Sequence, residues 1–171
     1  MVPSLLEVKK LVDELASKIQ APKYLLPSYG ESLDNAHPYI DVERGGFFLY
    51  LAKERGQEVL RYVTKDIDDL LYKIFKDITF SIAIRYELAN RVNEQDSRRI
   101  HFAERERLLG ILSPDWQLRI HKEFEKTLTE HPFDDLASIR VDYCKELVEQ
   151  GKNQGNEWLL ACEKYPLPIN K

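Results

Sequence analysis

The stretch from Asp66 to Val92 constrains the fold more than any other part of the chain. Ile67, Leu70, Leu71, Ile74, Phe75, Ile78, Ile82, Ala83, Tyr86 and Ala89 recur at helical spacing, while Tyr72, Phe80, Ile84 and Leu88 lie outside that stripe. A helix apolar on so much of its circumference is expected in the middle of a fold, with other elements packed around it. Asp66 or Thr64 caps it, and Asp68 and Asp69 suit the positive end of the helix dipole. At 1.5 Å per residue it runs roughly 40 Å. This is the spine.

The pattern on either side fills in the class. Ser4 and Glu7 have capping-box spacing, Val2 can staple onto Val8, and Leu5, Val8, Leu11, Val12, Leu15 and Ile19 predict a helix over 4–20. Pro22, Pro27, Gly30 and Pro38 mark 23–38 as a loop. Tyr39 to Glu43, Phe47 to Ala52 and Glu58 to Thr64 are β-prone runs separated by Arg44-Gly45-Gly46 and by Glu54-Arg55-Gly56-Gln57. They predict a three-stranded antiparallel meander covered on one face by helices. After the spine, Asp96 or Ser97, Ser113-Pro114, Phe133-Asp134-Asp135 and Gly155-Asn156 open four further helices. The expected fold is α+β and predominantly helical, with about six helices packed on the meander. It is read as a single domain over 1–171: N-terminal helix 4–20, meander 39–64, helical body 66–163 and a short tail.

At 171 residues with 43% hydrophobic content, the chain has material for one core. Its net charge of −4 demands no particular partner and excludes a basic nucleic-acid coat. Cys144 and Cys162 sit among apolar neighbours in predicted helices, which fits a reducing compartment and no disulfide framework. His37, His101, His121 and His131 form neither an H-x₃₋₅-H pair nor HExxH, so no metal site is expected. No phosphate loop, GxSxG or Cys–His setting is present, so neither catalysis nor a cofactor is expected. The N-terminus enters an amphipathic helix carrying Glu7, Asp13 and Glu14, without the pattern of a signal peptide. A cytoplasmic protein with no membrane partner is the expectation.

Two charged constellations remain. Arg85, Glu87, Asn90, Arg91, Asp96, Arg98 and Arg99 cluster at the end of the spine and the start of the next helix. Arginine forks can hold a phosphate or carboxylate ligand. Structural ion pairs explain the same residues, since Glu87 and Arg91 are spaced i,i+4 and Asp96 can cap the next helix. Glu104 and Glu106 interleave Arg105 and Arg107, which argues against nucleic-acid contact. The acidic excess lies in residues 113–171. On a helix starting near Asp135, Asp135, Asp142, Glu146 and Glu149 fall within an arc of roughly 60°. Such a stripe can face a basic partner and speed its capture, or it can be a solvated exterior.

Several motifs in order carry a resemblance. Arg55-Gly56-Gln57-Glu58 and Tyr86-Glu87-Leu88-Ala89-Asn90-Arg91 are followed by Asp96-Ser97-Arg98-Arg99-Ile100-His101-Phe102. Leu108-Leu109, Ser113-Pro114-Asp115-Trp116 and Leu128-Thr129-Glu130-His131-Pro132-Phe133-Asp134-Asp135 complete the set. Over about residues 39 to 136 this order and spacing resembles the immunity protein 63 family of bacterial polymorphic toxin systems. The resemblance implies a small cytoplasmic antidote that binds the C-terminal domain of a cognate toxin. It would mask the toxin's active site or block a needed motion, with no chemistry of its own. Its characteristic positions fall at Asp96, Arg98, Arg99 and Trp116, read as structural. Many such toxins are nucleases with basic clefts, which makes Asp135, Asp142, Glu146 and Glu149 the candidate toxin contact. The second reading, from a different class, is an anionic-ligand domain or enzyme built on Arg85, Arg91, Arg98 and Arg99.

Overall fold

The computed structural model describes residues 3–152 and 155–169. Its elements are α1 (Leu5–Lys18), a 3₁₀ turn (Lys23–Leu25), β1 (Ser28–Tyr29), β2 (Asn35–Glu43), β3 (Phe47–Glu54), β4 (Gln57–Thr64), α2 (Ile67–Ala89), α3 (Arg98–Leu112), α4 (Pro114–Glu130), α5 (Ala137–Glu149) and α6 (Glu157–Lys164). The α+β, mostly helical class is as expected, and the sheet has four strands where three were expected. The chain divides into two compact units, Met1–Ile82 with Arg105–Gln117, and Ala83–Glu104 with Leu118–Lys171. Helices α2, α3 and α4 each contribute residues to both.

In the first unit α1 opens on the capping box. The Ser4 backbone amide donates to Glu7 Oε2 at 2.7 Å, and the Glu7 amide donates to Ser4 Oγ at 3.3 Å. Two donors that the helix cannot satisfy internally are thereby paired. The staple from Val2 lies outside the described residues. Val8, Val12, Ala16 and Ile19 are buried, the stripe that the helical spacing selects.

The sheet runs β1-β2-β3-β4, with β2, β3 and β4 antiparallel. The unexpected strand β1 is two residues long and pairs parallel to Tyr39 and Ile40. So short a parallel pairing leaves no alternation to read, and it sits in a segment dense in proline. Strand β2 also begins earlier than expected, at Asn35, passing Pro38 through an irregularity in its pairing with β3. A two-residue turn, Arg55-Gly56, joins β3 to β4 with φ of 51° and 74°. Positive φ at both positions is the geometry that matches the twist of the flanking strands. The Gly56 amide donates to Asp34 Oδ1 at 2.7 Å, which ties the preceding loop to this turn.

Asp66 caps α2, its Oδ1 accepting from the Asp68 amide at 2.8 Å. Leu70, Leu71, Tyr72, Ile74, Phe75 and Ile78 are all buried. Helix α2 meets the sheet at Tyr50: Lys73 Nζ lies 6.0 Å from that ring, and burial, then the charge and hydrogen bond of Asp77, push the phenol above its ordinary pKa. The expectation of a helix in the middle of the fold is met at these positions of the first half of α2, although Asp68 is exposed there, and is corrected for the second half. Phe80, Ile84, Tyr86 and Leu88 are exposed. Circumferential apolarity does not by itself identify buried sides, because much of any folded surface is apolar.

In the second unit Phe102 stacks on Phe124 with centroids 3.9 Å apart and planes 2° apart, and Phe133 lies 6.1 Å from Phe102. Helices α5 and α6 pack together, with Tyr143 edge-on to Tyr165 at 5.9 Å. Cys144 and Cys162 are half-buried free thiols. No helix among the described residues is long and apolar enough to cross a membrane.

Candidate functional site

Three arginines of the cluster, Arg91, Arg98 and Arg99, have filled forks in the second unit. Glu87, 5% exposed near the end of α2, takes Arg91 in a two-point pair at 2.7 and 2.8 Å. The Arg91 hydrogen bond is the main influence holding the Glu87 carboxyl below its ordinary pKa. Asp96 stands just before α3 and accepts from the Arg98 amide at 2.9 Å, from Arg98 Nη2 at 2.6 Å and from the Asp134 amide at 2.8 Å. Burial works to raise the Asp96 pKa, yet hydrogen bonds from Arg98 and from the Asp134 and Arg98 amides bring it below the ordinary value. Arg98 then reaches two backbone carbonyls beyond α4, His131 O at 2.9 Å and Pro132 O at 2.7 Å.

Arg99 makes the same kind of fork with Asp135, Nε to Oδ1 and Nη2 to Oδ2, both at 2.8 Å. Its guanidinium lies 4.3 Å from the centre of the Phe133 ring. Asp135 Oδ1 also accepts the Asp96 amide at 2.9 Å. The Arg99 hydrogen bond first, and the Asp96 amide second, hold the Asp135 carboxyl down to about 2. The structure thus brings Asp96, Arg98, Arg99 and Asp135 together. It occupies the two-point faces of Arg91, Arg98 and Arg99 with carboxylates, leaving none of these faces open for a ligand anion.

Trp116 lies elsewhere, in the first unit. It is 3% exposed, stacks on Phe75 with centroids 6.1 Å apart, meets Tyr72 edge-on at 6.1 Å, and donates from Nε1 to Asp68 Oδ1 at 2.9 Å. Asp68 therefore serves more than the dipole of α2.

The acidic stripe needs one correction of placement. Helix α5 begins at Ala137, so Asp135 stands ahead of it in the turn rather than on its face. Asp142, Glu146 and Glu149 are exposed on α5 and share one side. Asp142 pairs with Lys145 at 2.8 Å, both side chains largely in solvent. Asp142 also reaches a cleft of about 680 Å³ in the second unit, where Glu94, Asp96 and Asp134 are set against Arg91 and Arg98.

Sequence reasoning did not single out Arg140, whose side chain is fully buried. Its Nη2 is bonded to Asp134, its Nη1 donates to the carbonyls of Tyr165 and Pro166 at 3.0 Å each, and its guanidinium lies 5.8 Å from the Trp158 ring. A signal was present: Leu136, Arg140, Tyr143 and Leu147 are spaced as one helical stripe, and a charge in such a stripe needs a buried partner.

One comparison bears on the functional class. Residues 44–126 match the model of the Immunity protein 63 family. The resemblance seen in the ordered motifs is borne out. The match spans β3, β4, α2, α3 and most of α4, and it includes Asp96, Arg98, Arg99 and Trp116. The α5 carboxylates lie beyond it. No curated protein and no solved structure matches the chain.

Proposed function

We propose that this chain is an immunity protein that binds the C-terminal domain of a cognate toxin in the bacterial cytoplasm and silences it by covering its active site or blocking a needed motion, without catalysis. The family match over residues 44–126 carries this reading. The filled arginine forks support it against an anionic-ligand site, because Arg91, Arg98 and Arg99 spend their two-point faces on Glu87, Asp96 and Asp135. On this reading Asp96, Arg98, Arg99 and Trp116 hold the fold, and Asp142, Glu146 and Glu149 offer a basic toxin surface three carboxylates, with Asp135 beside them.

The test is co-expression with the C-terminal domain of the large secreted protein encoded beside this chain, followed by affinity purification and a growth assay. A stable complex and restored growth are expected; neither would end the reading. With the complex in hand, Asp142→Lys, Glu146→Lys and Glu149→Lys together should slow association several-fold and flatten its salt dependence. Unchanged association kinetics would remove α5 from the contact.

A further inference from the structure

A cavity of about 280 Å³ opens in the first unit, lined by the 3₁₀ turn, the start of β2, Tyr50 of β3 and one turn of α2. That volume is at the small end of ligand pockets and suits a group the size of one side chain. Asp77 is its carboxylate, and no lysine or arginine is among the described residues that line it. Tyr24, His37 and Tyr50 bring aromatic side chains to the wall. Tyr50 is 2% exposed and shares a hydrogen bond with Asp77.

His37 reaches this wall through the irregularity in β2. Ala36 takes φ of 60°, in the left-handed region that non-glycine residues rarely occupy, and Asn35 Oδ1 accepts the His37 amide at 3.1 Å. Irregularities of this kind re-aim a side chain. The His37 imidazole has no hydrogen-bond partner among the described residues. Lys73 pairs with Asp77 at 2.9 Å without lining the cavity itself, and the Asp77 side chain remains 38% exposed.

From this chemistry we infer that the cavity binds an organic cation of the guanidinium class, either free or as the arginine side chain of a partner. A guanidinium carries its N–H donors on a flat frame, has no acceptor, and stacks on aromatic rings. The Asp77 carboxylate, the Ser81 hydroxyl and a neutral His37 imidazole can all accept from it. An anion would face Asp77 with neither lysine nor arginine in the described wall, and an apolar group would cover these acceptors without donating to any. The inference goes beyond the immunity reading and does not depend on it.

NMR titration of the isotope-labelled chain with N-acetyl-arginine amide tests this, with N-acetyl-citrulline amide as the neutral isostere. Saturable shifts centred on His37, Tyr50 and Ser81 are expected, with the citrulline compound bound about fivefold more weakly. Lys73→Met removes the internal cation that competes for Asp77 and should tighten the arginine compound several-fold. Ser81→Phe fills the cavity from a half-buried position; it should abolish the shifts and leave the melting midpoint nearly unchanged. Equal binding of the two compounds, unaltered affinity in Lys73→Met, shifts that persist in folded Ser81→Phe, or no saturable shift at all overturns the inference. The complex with the co-expressed toxin domain separates the two sources of the cation. Weakening of about tenfold by Ser81→Phe assigns it to an arginine of that domain, and an unchanged complex assigns it to a free molecule. Failure of any complex to form removes the immunity reading and leaves the titration to decide the cavity.

Discussion

Trp116 joins a large apolar surface to one polar atom, and both are satisfied in the same pocket. Trp116→Phe removes the indole donor to Asp68 and leaves a small void against Phe75 and Tyr72. A hydrogen bond to a carboxylate is worth about 1.5 kcal/mol at a part-buried site such as this, and a loss of that size in urea unfolding followed by circular dichroism is expected. No change would mean that Asp68 is served equally well by solvent. Asp135 makes a prediction of a different kind. Its folded pKa of about 2 lies below the ordinary carboxylate value. A depressed folded pKa contributes stability above the unfolded value, and that contribution disappears as pH falls through the folded one. Stability from the Arg99–Asp135 fork should therefore fade between about pH 4 and pH 2, with Asp96 adding to the same acid loss by its own lowered pKa. Asp135→Asn should flatten the melting midpoint against pH in that window; an unaltered slope would show that other carboxylates govern it. The pairings of Asp96 and Asp135 were not legible from spacing. They join positions 36 to 39 residues apart, which local reasoning does not reach.

At the scale of elements, what could be read in advance was whatever the chain encodes locally. The Ser4–Glu7 box, the Asp66 cap and the two hairpin turns each depend on neighbours within a few residues, and each is where the sequence placed it. Gly56 illustrates the turn logic quantitatively. It sits at φ of 74°, and a Cβ built there meets nothing within 4 Å. Gly56→Ala should thus cost only backbone strain, about 1 kcal/mol. A larger loss in urea unfolding would point to the Asp34 contact with the Gly56 amide being broken as well. Strand β1 and the exposed side of α2 escaped because both are decided by distant chain: β1 by Tyr39 and Ile40 of β2, and the α2 faces by which elements pack against them.

Across the whole molecule, the two units share three helices by covalent continuity, and the single-domain expectation becomes a measurement. Trp116 belongs to one unit and Trp158 to the other. In Trp158→Phe, fluorescence reports the first unit alone while circular dichroism reports helices throughout. Coincident urea transitions are expected if the chain unfolds as one domain. Two separated midpoints would divide it into units that unfold independently.

The seam between α5 and the last described residues is made by Arg140 with the carbonyls of Tyr165 and Pro166, and Arg98 treats His131 and Pro132 alike. A main-chain oxygen is present whatever residue carries it. These two guanidiniums therefore recognise the path of the chain and are indifferent to its lettering. Positions 131, 132, 165 and 166 can change identity without losing the bonds that fix them, so the joints of the second unit tolerate drift in their partners while Arg98 and Arg140 themselves do not.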